Sequence, residues 1–275
     1  MRKTEFFSNE LEPTMTKFTM KRDDGKTATG AIIYAGPSMI DGSPIVAIAT
    51  FKSGNVKTAD MLQTYILHAT IDPISANRNG DDKAICGDCK HRGIASDKIS
   101  GQAEKRTCYV TLMHGPAGVY KSFQRGIYPD VSNEPHTIAA IGESRMVRIG
   151  TYGDGAAVPG HVWRNLLNRS KGHTGYTHAW HDADNNSASD LAKTYMFSAD
   201  TLAEAESAWT MGARTFRVVS SVDEIVNGKE ILCPASAEAG HRTTCDKCGL
   251  CAGLASMAKS IAIPVHGGGS KHFAR

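Results

Sequence analysis

The sequence predicts an α/β protein built on a complete or partial (β/α) barrel with parallel strands and cysteine-rich metal-binding loops. Three observations favour this class: short apolar runs alternate with helical segments, polar residues follow several of the runs, and the cysteines are concentrated in two segments. Alternating strands and helices form parallel β/α units. At least five such strands after residue 140 fit a barrel. A doubly wound open sheet is the alternative.

The composition is that of a globular chain with an adequate core, since 41% of its 275 residues are hydrophobic and 21% are charged. The N-terminus lacks the long apolar segment of a signal peptide, and no stretch is apolar for long enough to span a bilayer. We therefore expect a cytoplasmic protein. We divide it into an arm at 1–29, a single barrel-like domain at 30–267 and a tail at 268–275. The domain carries a cysteine-rich insert at about 72–108 and a cysteine loop at 233–251.

The first half of the chain has weaker patterns than the second. Apolar runs bounded by Gly, Ser and Asp predict strands at 31–35 and 44–49. Helical spacing of Met61, Leu62, Tyr65 and Ile66 predicts a helix over 57–68. A long polar loop is expected over 72–106, and a strand over 109–113.

The second half alternates more regularly. Strands are predicted at 146–150, 175–178, 195–198, 215–219, 230–233 and 261–266. A helix should open at Pro159 and carry Val162, Trp163, Leu166 and Leu167 on one apolar face. A capping box of Thr201 and Glu204 predicts a second helix, which ends at Gly212.

The densest cysteine segment is Cys245, Cys248 and Cys251, at two consecutive C-x2-C spacings, with Cys233 upstream. Such a run suits a cubane iron–sulfur cluster, whose irons are bound by thiolates from one short loop. Zinc also accepts four cysteines, and unrelated buried thiols are the third alternative. Seven cysteines in a reducing compartment favour metal or redox chemistry over disulfides.

A second thiol group consists of Cys86, Cys89 and the more distant Cys108. Three cysteines leave one coordination position open, which His91 or a non-protein ligand could fill. The alternatives are a zinc knuckle that pins the loop, with His91 as its fourth ligand, and a set of thiols with a merely structural role.

Polar residues at the carboxyl ends of the predicted strands mark the expected site, because functional groups of a parallel barrel gather there. These residues are Asp154, His178, Asp200 and His266. Arg148 and Arg217 lie inside strands and are expected to point into the lumen. The alternative is that these residues are caps and salt-bridge partners, with Asp200 capping the helix that follows it.

His266 opens a run of three glycines, whose backbone amides could wrap the anionic group of a cofactor. A flexible tail is the alternative for this segment.

Several blocks of sequence together carry a family resemblance. They lie at 85–92, 108–110, 120–128, 148–154, 173–180 and 233–242, and the cysteine triplet closes the series. In these blocks the chain resembles the phage- and plasmid-borne gene-product-88 family over residues 50–267. The resemblance implies mobile-element origin, action in a bacterial cytosol and a distant similarity to radical-SAM barrels, with S-adenosylmethionine as a further cofactor. The radical-SAM hallmark is a single C-x3-C-x2-C loop, from which Cys86, Cys89 and Cys108 depart.

We therefore expect a phage- or plasmid-encoded iron–sulfur protein, a redox or radical-SAM-like enzyme acting on a small-molecule or macromolecular substrate. Its cluster is predicted to be 4Fe-4S, with zinc as the alternative. Asp154, His178, Asp200, Arg148 and Arg217 would bind substrate or move protons.

Two other functions remain open. The chain could be a zinc-stapled nucleic-acid-binding protein that serves replication or defence evasion. Basic residues around the first thiol group motivate this alternative: Lys90, His91, Arg92, Lys98, Lys105 and Arg106. It could also be a barrel enzyme that modifies nucleic-acid bases, with Asp154 or Asp200 as the nucleophile.

Overall fold

The computed structural model describes residues 18–52, 54, 56–183 and 185–273, which form a mixed α/β structure with two five-stranded sheets. The first sheet has the strand order β1(Gly30–Pro37), β2(Pro44–Thr50), β3(Leu62–His68), β4(Met146–Tyr152) and β5(Gly172–Thr174). The second has the order β6(Tyr176–Thr177), β7(Met196–Ala199), β8(Thr215–Val219), β10(Ser260–Pro264) and β9(Glu230–Leu232).

The α-helices lie between the strands or follow them. Their bounds are α1(Pro73–Asn79), α2(Lys83–Cys86), α3(Gly115–Gln124), α4(Pro135–Gly142), α5(Gly160–Leu167), α6(Asn185–Thr194), α7(Leu202–Thr210) and α8(Cys245–Cys248). Among the described residues, no helix is both long and apolar enough to cross a membrane.

Strand direction changes once within the first sheet. β1, β2 and β3 pair antiparallel, whereas β3, β4 and β5 pair parallel. Every pairing in the second sheet is parallel. The prediction of parallel strands after residue 140 is therefore confirmed. The carboxyl ends of parallel strands meet at one edge, and this direction determines where functional groups can gather.

The two sheets adjoin in sequence at Gly175, which separates β5 from β6. A Cβ at this position would lie 2.9 Å from the ring of Tyr195, so the close approach of strand and ring requires glycine. The Gly175 amide donates to the carbonyl of Cys251 at 2.9 Å, and its carbonyl accepts from Met196 at 2.9 Å. The junction is thereby fixed to the cysteine loop and to β7.

The helix predicted over 57–68 is wrong, because residues 62–68 form the central strand β3. This strand is buried on both faces between β2 and β4, so its apolar residues Leu62, Tyr65, Ile66 and Leu67 do not alternate with polar ones. Such a pattern also matches helical spacing. The aromatic and β-branched residues Thr64, Tyr65 and Ile66 are the local signal that favours a strand.

The long loop expected over 72–106 and the strand expected over 109–113 are also wrong. The loop contains α1, α2 and a 3-10 helix at Lys90–Arg92, and Asp72 caps α1 by accepting from the Ile74 and Ser75 amides. Residues 109–113 form bends and turns that lead into α3. Tyr109 is held instead by the guanidinium of Arg148.

The predicted arm and tail are only partly described. Residues 1–17 lie outside the described residues, while Phe18 and Met20 pack against the main core. That core covers the first sheet with α4 and α5, including the predicted Trp163 and Leu166. Residues Ser270–His272 of the tail form a 3-10 helix.

The contact between α4 and α5 tests this packing. A Cβ on Gly142 of α4 would collide with the carbonyl oxygen of Leu166 in α5, whereas one on the exposed Gly118 of α3 meets nothing within 4 Å. We expect Gly142→Ala to lower the free energy of unfolding by about 1–3 kcal/mol through overpacking. The matched control Gly118→Ala should raise it by about 0.5–1 kcal/mol, since alanine favours the helix. Urea unfolding measures both, and equal effects would contradict the packing.

Candidate functional site

A cavity of about 180 Å³ lies at the carboxyl ends of strands from both sheets. Its walls come from residues at the ends of β4, β6, β7 and β10, from the apolar side chains of β8, and from the first cysteine segment. The predicted residues Asp154, His178, Asp200 and His266 all line it. The polar strand ends singled out in the sequence therefore surround one space.

Asp154 holds the rim of this cavity together. Its carboxylate accepts hydrogen bonds from the amides of Ala156 at 2.9 Å and His178 at 2.7 Å, and its own amide donates to the carbonyl of Ile85. Burial raises the pKa of Asp154, and the two amide hydrogen bonds oppose that rise. Because it accepts these two hydrogen bonds, the Asp154 carboxylate fixes the backbone positions of Ala156 and His178.

Asp200 lies between two imidazoles. Its Oδ1 is 3.3 Å from Nε2 of His178 and 3.4 Å from Nε2 of His91. The helix that follows is capped by Thr201, whose hydroxyl accepts from the Glu204 amide, so Asp200 does not act as the cap. The Glu204 carboxylate instead accepts from the amide of Asp200 at 2.7 Å. The capping box is thus present in modified form and leaves the Asp200 carboxylate facing the histidines.

The charges of this cluster stabilise one another. Burial alone would raise the pKa of Asp200, but hydrogen bonds and positive charge from His178 and His91 hold it well below its usual range. Burial would lower the pKa of His178, yet Cys89 and Asp200 raise it well above its ordinary value. His178 thus joins the carboxylate to the first thiol group.

The first thiol group lies at the cavity wall. Burial, the Asp82 carboxylate and the thiols of Cys89 and Cys108 raise the pKa of Cys86 well above its usual value. Burial also raises the pKa of Cys108, again with a contribution from Cys89. All three of these cysteines line the cavity, and their ligation of a metal stays a prediction.

Two polar atoms beside these thiols lack a hydrogen-bond partner among the described residues. They are the hydroxyl of Tyr152 and Nε of Arg106, both buried on side chains that line the cavity. Tyr152 is near Cys86 and Cys108, whose charges would raise its pKa beyond the effect of burial. Unpartnered buried polar groups are costly, and they indicate a place where a ligand completes the site.

The second thiol group is Cys233, Cys245, Cys248 and Cys251, all of which lie in the segment between β9 and β10. Cys245 and Cys248 bound α8, and Cys233 follows β9, as predicted from the sequence. Burial, together with the thiols of Cys233, Cys245 and Cys248, raises the pKa of Cys251 to about 12 against a hydrogen bond from Tyr176. The ligation of a metal by these four cysteines stays a prediction.

The sulfur atoms of both groups are close but not tightly convergent. In the described part of the chain, one group of three metal-ligand atoms lies within 4.8 Å of one another, and it is His91, His178 and Asp200. Four thiolates around a zinc ion with Zn–S bonds of about 2.3 Å lie roughly 3.8 Å apart. Neither cysteine group has three sulfurs at such separations.

Arg148 lies beside Cys245 and Cys251 of the second thiol group. Its guanidinium hydrogen-bonds the hydroxyl of Tyr109 and lies 5.8 Å from the ring centre of Tyr176. Burial would lower the pKa of Arg148, but Tyr109, Tyr176, Cys245 and Cys251 raise it above its ordinary value. A buried cation therefore faces the second thiol group, and its tyrosine partner Tyr109 is also close to Cys108.

Arg217 does not point into the cavity as expected. Its neighbours Phe216 and Val218 line the cavity, and because side chains alternate along a strand, Arg217 lies on the opposite face. There it pairs with the buried carboxylate of Glu230 at 2.6 Å and donates to the Glu224 carbonyl at 2.7 Å. Arg217 is therefore a salt-bridge partner, which was the alternative to a position in the lumen.

The segment after β10 packs against the site. His266 lines the cavity with its ring 5.7 Å from that of Tyr109, and Phe273 stacks on His91 at 6.1 Å. A flexible tail is therefore wrong for residues 267–273. The structure gives no anion position at the glycine run, so the cofactor role of His266 stays a prediction.

Most of the basic residues around the first thiol group have partners within the chain. Lys90 pairs with Glu204 at 3.1 Å, Lys98 with Glu104 at 2.7 Å, and Arg92 with Asp82. Arg106 donates to the Cys108 carbonyl at 2.9 Å. These contacts add no support to the nucleic-acid alternative, which stays a prediction.

A scan against protein-family models finds no match, and searches of curated proteins and of solved structures find no significant similarity. The resemblance to the gene-product-88 family and the binding of S-adenosylmethionine stay predictions. The chemistry of the site has to be argued from its own geometry.

Sequence analysis missed His91 as a partner of Asp200. The two residues meet through folding, 3.4 Å apart, and no local spacing joins them. The available signal was the position of Asp200 one residue before the Thr201 cap, which leaves its side chain free for another role.

The pairing of Arg217 with Glu230 predicts a large effect on stability. Arg217→Met leaves the Glu230 carboxylate buried without its cation, and we expect the free energy of unfolding to fall by about 3–5 kcal/mol. The double variant Arg217→Met/Glu230→Gln removes the uncompensated charge and should recover most of that loss. Chemical denaturation measures both; a loss below about 1 kcal/mol in the single variant would contradict a structural role.

The role of Asp154 predicts a second stability effect. Asp154→Ala removes the acceptor of two amide hydrogen bonds, and we expect a loss of about 1–3 kcal/mol for each amide left buried and unpaired. The exposed Asp97→Ala is the matched control and should change stability by less than about 0.5 kcal/mol. If urea unfolding gave the same midpoint for both variants, Asp154 would not be the residue that positions His178.

Proposed function

We propose that this chain is an iron–sulfur protein with a redox enzyme site in the cavity at the carboxyl ends of its parallel strands. One observation carries the proposal: the seven cysteines fall into two segments of the sequence, those of the first segment line the cavity, and Arg148 and Tyr176 lie beside Cys251 of the second. Thiols gathered in this way, buried and coupled, are suited to metal ligation.

The sulfur spacing supports a cluster over a single zinc ion. A tetrahedral zinc requires its sulfurs to converge, whereas a cubane binds each thiolate at a different iron and keeps them farther apart. In both groups the thiols influence one another without three sulfurs meeting within 4.8 Å. The lack of such convergence argues against a single tetrahedral zinc ion, and the C-x2-C-x2-C spacing of Cys245, Cys248 and Cys251 favours the cluster.

The two groups support different roles. Cys233, Cys245, Cys248 and Cys251 would saturate a cluster, which would store or relay electrons. Cys86, Cys89 and Cys108 would leave one iron open, and this group borders the cavity together with the unpartnered Tyr152 hydroxyl. Substrate would therefore bind at the first group, with electrons supplied through the second.

The chain's own residues would prepare the cavity for this chemistry. Asp154 fixes the backbone of His178, and His178 with Asp200 forms a proton-transfer pair at the rim. Arg148 places a positive charge beside Cys245 and Cys251, where a cluster and its thiolates are negatively charged.

We also infer that the two sheets are parts of one partial (β/α) barrel. The strand path passes from β5 through Gly175 to β6, and the strands from β3 onward are parallel. A single cavity receives residues from the ends of strands in both sheets, as a barrel lumen would. The antiparallel β1 and β2 form one edge of the first sheet.

Iron and acid-labile sulfide analysis of anaerobically purified protein tests the proposal. Two cubane clusters predict roughly eight irons and eight sulfides per chain. Cys89→Ser should lower the content by removing the first cluster, and Cys248→Ser by removing the second. Because every cysteine belongs to one of the two groups, each variant is the control for the other. A colourless protein that contains stoichiometric zinc and no iron would contradict the proposal.

A further inference from the structure

The geometry points to a separate mononuclear metal site formed by His91, His178 and Asp200, for a divalent first-row transition-metal ion. This site uses no cysteine and does not depend on the iron–sulfur proposal. The three residues come from different parts of the fold: the 3-10 helix at Lys90–Arg92, the end of β6 and the end of β7.

The distances are those of metal ligands, although without an ion the same contacts serve as long hydrogen bonds. The ligand atoms of all three residues lie within 4.8 Å of one another, and each imidazole Nε2 is 3.3 or 3.4 Å from the same carboxylate oxygen. Hydrogen bonds between N–H and oxygen are usually about 2.7–3.2 Å long. Two ligands held by bonds of about 2.0–2.1 Å in tetrahedral geometry lie roughly 3.4 Å apart.

The surroundings orient the ligands for this role. His91 contacts the Thr107 hydroxyl through Nδ1 at 2.8 Å, which leaves Nε2 directed at Asp200. Metal-bound histidines are commonly held in this way through their second ring nitrogen. The amide of Asp200 is bound by Glu204 and that of His178 by Asp154, so all three ligands are anchored independently of the ion.

The charge and access also suit a divalent cation. Asp200 and Glu204 contribute two negative charges, and Lys90, 3.8 Å from Asp200 and 3.1 Å from Glu204, contributes one positive charge. A cation bound between the two imidazoles and Asp200 would displace the proton that His178 otherwise holds, and the carboxylates of Asp200 and Glu204 would offset its charge. All three ligands line the cavity, so remaining coordination positions would face substrate.

Two imidazoles and one carboxylate are the protein ligands of catalytic zinc sites and of non-haem iron(II) sites, which keep positions open for water or substrate. The site would therefore act as a Lewis acid or bind a substrate oxygen at the rim, next to the first thiol group. Cys89 of the first thiol group is near His178, so that group and the three-residue site are neighbours.

Cobalt(II) titration under anaerobic conditions tests this site on the full-length protein as purified. Cobalt bound by imidazole and carboxylate gives d–d absorption, whereas thiolate ligation adds sulfur-to-cobalt charge-transfer bands. We expect His91→Gln and Asp200→Asn each to lose one equivalent of cobalt while any charge-transfer bands stay unchanged. The exposed His161→Gln is the matched control and should bind cobalt like the unaltered protein. Thr107→Val should keep the equivalent but weaken its affinity about 10–100-fold.

Circular dichroism melting of both ligand variants establishes that they are folded, and Asp200→Asn preserves the shape of the side chain if His91→Gln does not fold. Unchanged cobalt stoichiometry in folded variants would overturn the site. Loss of charge-transfer bands together with the equivalent would also overturn it, because the histidine would then complete the cysteine group. Iron and sulfide content of the same samples reports separately on the iron–sulfur proposal.

Discussion

The carboxylate of Asp154 accepts the amides of Ala156 and His178, and these bonds join the end of the first sheet to the start of the second at the cavity rim. The amide of the same residue donates to Ile85, beside Cys86. One buried residue, through its side chain and its backbone amide, thereby fixes the positions of a histidine and a thiol segment that are distant in sequence. The rest of the site depends on this connection, since His178 contacts both Asp200 and Cys89.

The parallel direction of the strands explains why so many reactive groups share one region. Strand ends bring Asp154, His178, Asp200 and His266 to the same cavity, and the first thiol group packs against this rim. Arg148 and its neighbours Tyr109 and Tyr176 lie beside the second thiol group. The proposed pair of iron–sulfur clusters would have one cluster at the cavity, held by the first thiol group, and the other beside Arg148.

The sequence predicted those features that depend on local patterns. Short apolar runs bounded by glycine marked the strands after residue 140, and Thr201 with Glu204 marked the start of α7. The gathering of polar strand-end residues at one edge was predicted from the parallel direction of the strands. Cys86 and Cys89 are neighbours in sequence, whereas Cys108 reaches the same cavity wall through tertiary contacts.

Other features could not be predicted because they depend on long-range contacts. β3 resembles a helix in its apolar spacing until its burial between β2 and β4 is known. The side of β8 that faces the cavity, and hence the outward position of Arg217, is set by sheet register. His91 meets Asp200 through the packing of the cysteine segment on the rim, and Phe273 of the tail stacks on the same histidine.

The central claim is that both cysteine groups hold iron in the same molecule. Anomalous X-ray scattering at the iron edge, from crystals of anaerobically purified protein, tests it most directly. The account predicts two iron positions, one among Cys86, Cys89 and Cys108 and the other among Cys233, Cys245, Cys248 and Cys251. Anomalous signal at these cysteines from the zinc edge alone, or no metal signal at either group, would contradict it.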